Sequence, residues 1–128
     1  MLGVMSLIIP LAGILALIPV TDATQPAEKD SYEVSVTADS GRRSIERLTC
    51  RPPGGTHPHK RKACRQLEAV AGDIAAIPPA DGACTAEYAP VTVLAVGTWD
   101  GWPYRYEKRF DNRCVANLRT GGYVFNLT

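Results

Sequence analysis

Two histidines and four cysteines are the residues of this 128-residue chain whose types could support chemistry. His57 and His59 lie in a proline-rich turn beside a basic stretch, so a catalytic triad of serine, histidine and aspartate has little support. The cysteine spacings match no common zinc pattern, and a zinc site that uses either histidine is disfavoured. The sequence therefore predicts no enzyme, no metal site and no cofactor.

The four cysteines are typical instead of disulfide bonds in a small exported domain with a modest core. They are Cys50, Cys64, Cys84 and Cys114. Three pairings are possible. Proximity in the sequence favours Cys50 with Cys64, which leaves Cys84 with Cys114. In that pairing the second disulfide would hold one end of the segment that begins at Cys84.

The segment Cys84-Thr85-Ala86-Glu87-Tyr88-Ala89-Pro90 has small and polar residues between its cysteine and its proline, without a core-forming pattern. Before it, Ile77-Pro78-Pro79 cannot continue a helix, and after it a β-branched run begins at Val91. We therefore predict an exposed loop that is anchored to rigid structure at both ends. An ordinary strand-entry loop with one structural cysteine is the alternative that these residues alone leave open.

Alternation of apolar and polar residues predicts the first strand, because Tyr32, Val34 and Val36 would share one buried face. Asp39-Ser40-Gly41 then turns the chain. Residues 44–50 are expected to return as the antiparallel partner, with a bulge or a sheet edge because their apolar residues do not alternate cleanly.

A helix is predicted after Pro58 and is expected to end at Gly72. Its apolar face recurs at helical spacing. The residues on that face are Ala63, Leu67, Val70 and Ala71. Asp73 can cap a further short turn before Pro78-Pro79 stops it.

Residues 91–99 are apolar on both alternating faces, and Asp100-Gly101 is a strong hairpin signal that returns the chain through residues 102–110. One helix layer cannot cover both faces of a sheet, so Leu94 and Val96 on the second face predict a partner subunit, a homodimer.

The C-terminal residues complete the predicted domain. Residues 112–117 are interpreted as a short connection and residues 123–127 as a last strand. The predicted fold is α+β, with about five antiparallel strands and helix on one face.

The first 23 residues resemble a secretory signal peptide, since residues 2–20 are almost wholly apolar and Thr21-Asp22-Ala23 offers small residues around a cut. The mature domain would then be residues 24–128, secreted, extracellular and without a membrane segment. The segment before the apolar run lacks Lys and Arg, which is atypical of a signal peptide, so a mis-assigned start codon or a retained anchor of about 20 residues is the alternative. Removal of the signal takes only Asp22 from the 14 basic and 13 acidic residues of the chain. This near-neutral balance does not require a polyanionic partner such as nucleic acid.

Several long motifs closely resemble the Streptomyces subtilisin inhibitor family. They are Leu48-Thr49-Cys50-Arg51-Pro52-Pro53-Gly54-Gly55-Thr56-His57-Pro58, Ala63-Cys64-Arg65-Gln66-Leu67, Val70-Ala71-Gly72-Asp73, the loop at residues 84–91, and Gly97-Thr98-Trp99. The resemblance implies a five-stranded antiparallel sheet with two helices, and disulfides Cys50–Cys64 and Cys84–Cys114. It also implies a secreted homodimer joined through sheet faces and reversible, substrate-like inhibition of subtilisin-type serine proteases.

Carried over by position, the resemblance makes Ala86 the primary specificity residue and Ala86–Glu87 the scissile bond. The residues assigned to protease contact are Ala83, Cys84, Thr85, Ala86, Glu87 and Tyr88. Family members commonly have a larger residue at the position of Ala86 and aspartate at that of Ala89. A small side chain suits subtilisin-like or elastase-like pockets and offers nothing to the acidic pocket of a trypsin-like protease.

A secreted binding protein of the same fold without protease inhibition is the alternative function. Its basic residues would bind an acidic polymer. They are Arg42, Arg43, Arg47, Arg51, Lys60, Arg61, Lys62 and Arg65. Such charges more often solvate a surface or blunt a sheet edge, so the inhibitor remains the favoured prediction.

Overall fold

The structure is a computed structural model that describes residues 3, 8, 10–18 and 29–128. In the last of these ranges one antiparallel sheet has the strand order β3-β2-β1-β4-β5. Its strands are β1 (Ser31–Ala38), β2 (Arg43–Thr49), β3 (Gly54–Gly55), β4 (Val91–Trp99) and β5 (Trp102–Phe110). The helices are α1 (Lys60–Ala69) and α2 (Arg113–Arg119), with a short 3₁₀ turn at Ile74–Ala76. The predicted α+β class is confirmed.

The central strand β1 has the alternation that its sequence predicts. Tyr32, Val34 and Val36 are all buried. Strand β4 places Ala95 opposite Val34 and Val93 opposite Val36, so the apolar residues of both strands meet on one face. Residues directly opposite each other in a sheet share a face, and this shared face forms the core.

Strand β2 pairs with β1 without interruption, from Thr49 opposite Ser31 to Arg43 opposite Thr37. The predicted bulge is therefore wrong, and the alternative of a sheet edge is correct. Strand β3 pairs with Leu48 and Thr49, so among the described strands the rest of β2 lies at the edge. An edge tolerates irregular alternation because one side of the strand faces solvent.

Helices α1 and α2 cover the same face of the sheet. Ala63 and Leu67 of α1 and Ala116 of α2 belong to one buried cluster with the apolar residues of β1 and β4. The helix α1 ends at Ala69, so Val70 and Ala71, which the periodicity placed on its face, lie beyond it. The chain turns at Gly72, where φ is +82° and an added Cβ would lie 2.4 Å from Trp99. Only glycine fits at this position, so Gly72 determines the turn by which the chain leaves the helix.

Two predictions for the C-terminal part are wrong. Residues 112–117, interpreted as a connection, begin helix α2, and residues 123–127 form no strand. Val124, Phe125 and Leu127 are nevertheless buried. They fill the core as irregular chain, so their apolar character reflects burial and not strand pairing.

The opposite face of the sheet carries apolar side chains that neither α1 nor α2 covers. Ile45 is 47% exposed and Val96 is 45% exposed, whereas Leu94 is half-buried. In the sheet, Ile45 and Leu94 both lie opposite Ser35, so they share this uncovered face. The prediction that Leu94 and Val96 lie on a second apolar face is confirmed.

The predicted signal peptide lies largely outside the described residues, and its cut after Ala23 lies wholly outside them. Residues 10–18 are described as exposed chain without helix or strand. In the described ranges, no helix is both long enough and apolar enough to cross a membrane.

His57 joins the turn before α1 to the C-terminal residues and is 2% exposed. Its Nδ1 accepts the backbone N–H of His59 at 3.0 Å, so the ring proton belongs on Nε2, which donates to the carbonyl of Val124 at 2.8 Å. Burial lowers the pKa of His57. Both ring nitrogens are used, and the histidine acts as a structural bridge.

This buried histidine predicts acid sensitivity. Below its ordinary pKa of about 6.5 the unfolded chain takes up a proton that folded His57 does not, so the free energy of unfolding decreases as the pH falls. We expect the unfolding temperature to drop between about pH 7 and pH 5. Calorimetry should show a smaller drop for His57→Gln, which cannot titrate. Equal drops in the wild type and in this variant would contradict the assignment.

Candidate functional site

The loop at residues 84–90 lies in the chain between the 3₁₀ turn at Ile74–Ala76 and strand β4, and most of it is exposed. Residues 78–90 have no helix or strand, and Thr85, Ala86, Glu87, Tyr88 and Ala89 are all exposed. At Val91 the chain enters β4, one of the central strands. The loop is therefore displayed directly from the middle of the sheet.

A disulfide anchors the first half of the loop to α2. Cys84 is bonded to Cys114 in the first turn of that helix, and Cys50 is bonded to Cys64. The predicted pairing is confirmed. Just before the loop, the backbone N–H of Ala80 donates to the carbonyl of Leu118 at 2.8 Å. Helix α2 therefore holds both the first residue of the loop and the chain just before it.

Asn112 braces the loop from below and is 5% exposed. Its Nδ2 donates to the carbonyl of Glu87 at 2.7 Å and to that of Thr85 at 3.3 Å. Its Oδ1 accepts the backbone N–H of Val115 at 2.9 Å and so caps α2. The cap uses the oxygen and leaves the amide nitrogen for the loop, which fixes the orientation of the side chain.

The peptide between the two braced carbonyls is the one that follows Ala86. In the described part of the chain, no hydrogen bond is made by the carbonyl oxygen of Ala86. A single buried amide therefore holds the residues on either side while this carbonyl stays available to an outside donor. The peptide bond after Ala86 therefore lies between two carbonyls that one side chain holds in place.

Backbone hydrogen bonds anchor the second half of the loop. The N–H of Ala89 donates to the carbonyl of Asp111 at 2.8 Å. The N–H of Asp39, in the turn between β1 and β2, donates to the carbonyl of Pro90 at 3.0 Å. Both ends of the loop are therefore attached to the scaffold independently of the peptide bond after Ala86.

The structure brings the predicted contact residues together on this one loop. Ala83, Thr85, Ala86, Glu87 and Tyr88 are exposed, and Cys84 is half-buried in its disulfide. Asn112 was not predicted as a site residue, because residues 112–117 were interpreted as a connection. An asparagine followed by helix-compatible residues is an N-cap signal, and that signal could have identified it.

The two histidines lie elsewhere, at the start of α1. Among the described residues, no cluster of three or more histidine, cysteine, aspartate or glutamate side chains could hold a metal ion. The candidate site is therefore the exposed loop at residues 84–90.

A family model described as subtilisin inhibitor-like matches residues 31–112. A protease inhibitor of Streptomyces netropsis is 47% identical over 83 residues, which cover 62% of this chain and 76% of that protein. Subtilisin inhibitor-like protein 2 of Streptomyces rochei is 46% identical over 85 residues, which cover 65% of this chain and 74% of that protein.

A solved structure is also similar. Streptomyces caespitosus sermetstatin, crystallised in complex with Bacillus licheniformis subtilisin, matches with a TM-score of 0.56 and 25% sequence identity. The match covers 77% of this chain and 99% of that chain. The region matched by the family model contains both the loop and Asn112.

Proposed function

Because the chain belongs to the subtilisin inhibitor-like family, we propose that it is a reversible, substrate-like inhibitor of subtilisin-like serine proteases. The proposed reactive bond is Ala86–Glu87, and the residues in contact with the protease are Ala83, Cys84, Thr85, Ala86, Glu87 and Tyr88. Sermetstatin, which is similar in structure, was crystallised with subtilisin.

The brace by Asn112 is the observation that carries the proposal. A serine protease stabilises the oxyanion that forms on the carbonyl oxygen of the residue before the cut, so that oxygen must be accessible to outside donors. Asn112 holds the carbonyls of Thr85 and Glu87 and leaves that of Ala86 accessible. A loop that is already rigid also loses little conformational entropy when it binds, which favours high affinity for its area.

The same anchors account for inhibition in place of rapid hydrolysis. When the protease serine attacks Ala86, the amide bond to Glu87 breaks, and the Glu87 amine becomes the leaving group. The disulfide of Cys84 keeps the acyl half in place, and Asn112 keeps the leaving half in place. The amine can therefore attack the acyl enzyme and restore the bond before water does.

Ala86 sets the proposed target range. Its methyl group fits the small or broad primary pockets of subtilisin-like proteases, and elastase-like proteases are a second candidate class. Its side chain carries no charge for the acidic group at the base of a trypsin-like pocket. The wild-type protein should therefore inhibit trypsin poorly.

Titration of the purified protein against subtilisin, elastase, trypsin and chymotrypsin tests the proposal. We expect tight inhibition of subtilisin and weak inhibition of trypsin. If no protease is inhibited while the protein binds heparin or DNA in a steeply salt-dependent way, the proposal is wrong and the basic-patch alternative replaces it.

The proposal includes secretion, with residues 1–23 removed and residues 24–128 acting outside the cell. The apolar segment of residues 2–20 and the disulfides support an oxidising, extracellular location. Mass spectrometry of the protein from culture medium should give an N-terminus close to residue 24.

We also propose a homodimer joined through the uncovered sheet face. Ile45, Leu94 and Val96 supply its apolar contacts, since apolar groups on an uncovered sheet face favour association. Sedimentation at micromolar concentration should give a dimer for the wild type and a monomer for Val96→Glu, which places a carboxylate opposite Glu33 on the same face. Glu68→Gln on α1 is the matched control and should stay dimeric. A wild-type monomer would contradict this arrangement.

A further inference from the structure

An ion pair lies beside the half of the loop that follows the proposed reactive bond. Arg109, near the end of β5, donates to the carboxylate of Asp39 in the turn between β1 and β2. The backbone N–H of the same Asp39 donates to the carbonyl of Pro90. Asp39 therefore connects Arg109 to the point where the loop enters β4.

Tyr88 also belongs to the electrostatic surroundings of Arg109. The carboxylate of Asp39, and with a smaller effect the side chain of Tyr88, raise the pKa of Arg109. Tyr88 is 72% exposed, so little of its ring is held by the core. The direct hydrogen bond of Arg109 is to Asp39, in the turn that receives Pro90.

The other residues of this half have anchors of their own. Glu87 is held by Asn112, Ala89 donates to Asp111, and Pro90 accepts from Asp39. Ala89 has only a methyl group and cannot add a polar side-chain contact. The side chain of Arg109 therefore adds a further support, which acts through Asp39 on the exit of the loop.

We propose that Arg109 is a positioning residue, which holds the leaving half of the loop through Asp39 and thereby favours re-formation of the Ala86–Glu87 bond. The inference rests on the proposed function. In the step it supports, the ester between the protease serine and Ala86 breaks and the amide to Glu87 forms. The proton of the attacking amine goes to the general base of the protease, and the serine oxygen is reprotonated.

The strand that carries Arg109 also supplies a matched control. Arg105 lies on the same strand and the same face, is ion-paired with Glu107 at 2.9 Å, and its side chain is 61% exposed against 56% for Arg109. Arg105→Gln removes the same charge and an equivalent exposed ion pair, but it has no connection to the loop. Arg109→Gln removes the connection, and Arg109→Lys keeps the charge.

The test is the equilibrium ratio of cut to intact inhibitor. Each variant is incubated with a catalytic amount of subtilisin, starting once from intact and once from cut protein, and the ratio is measured by chromatography. We expect Arg109→Gln to raise the ratio of cut to intact protein by about threefold, the size expected for an exposed ion pair. Arg109→Lys should restore most of the wild-type ratio, and Arg105→Gln should leave it unchanged. Unfolding temperatures measured in parallel should be similar for the two glutamine variants.

Equal ratios for Arg109→Gln and Arg105→Gln, or no rescue by lysine, would overturn the role of Arg109 and leave the inhibitor function intact. If the wild type neither inhibits subtilisin nor is cut between Ala86 and Glu87, the proposed function fails, and the role of Arg109 fails with it.

Discussion

Replacement of Ala86 by lysine should convert the protein into a trypsin inhibitor. The ammonium group would enter the primary pocket of trypsin and make charge-assisted contacts with its acidic group, whereas alanine leaves that group facing water. A central residue that fills such a pocket contributes at least about 2 kcal/mol, so we expect the inhibition constant for trypsin to fall by about 30-fold or more. Competition kinetics with a chromogenic substrate would measure it.

Ala83→Lys is the matched control, because it adds the same charge to an exposed residue of the same segment, upstream of the disulfide. It should leave trypsin inhibition weak. Prolonged incubation of Ala86→Lys with trypsin should give one internal cut between residues 86 and 87, with the fragments joined through Cys84 and Cys114. A cut elsewhere, or equally good subtilisin inhibition after Ala86→Pro, would show that the reactive bond is assigned wrongly.

Replacement of Asn112 by aspartate should turn the inhibitor into a substrate. Aspartate keeps an oxygen that can cap α2 through the N–H of Val115, but it replaces the donor to Thr85 and Glu87 with an acceptor. Loss of two hydrogen bonds of about 1 kcal/mol each loosens the loop, and we expect the rate of its hydrolysis by subtilisin to rise about tenfold or more. Time courses of cut protein at catalytic subtilisin concentration would show it.

Comparison of Asn112→Ala with Asn112→Asp separates the hydrogen bonds to the loop from the helix cap. Asn112→Ala loses both, so it should be hydrolysed as fast as Asn112→Asp. It should also unfold at a lower temperature, since an N-cap contributes about 1 kcal/mol. A third variant, Asn126→Asp, makes the same chemical change far from the loop and should behave as wild type. If Asn112→Asp resists hydrolysis as well as the wild type does, the brace is not what slows the reaction.

Much of this fold could be predicted because its signals are local. The alternation of Tyr32, Val34 and Val36 defines β1, and Asp100-Gly101 defines the β4–β5 hairpin, in which both turn residues have positive φ. The loop could likewise be located from the cysteine and proline that bound it. In each case a few neighbouring residues determine the backbone, so no knowledge of distant contacts was needed.

The brace of the loop and the C-terminal structure were harder to predict, because they depend on residues far apart in the chain. Asn112 reaches Thr85 and Glu87 only when the sheet brings the end of β5 beneath the loop. Val124 has the apolar character of a strand residue, but its carbonyl is satisfied by the ring of His57, 67 positions earlier. Local propensity alone cannot identify such partners.

The exposure of Ala86 has a consequence for how proteins of this fold diversify. The residue proposed to choose the target is exposed and lies outside the buried core. Most substitutions of its side chain should therefore change the target with little effect on the free energy of unfolding, because surface substitutions usually change it by about 0.5 kcal/mol or less. The choice of target and the stability of the scaffold can then change independently of each other.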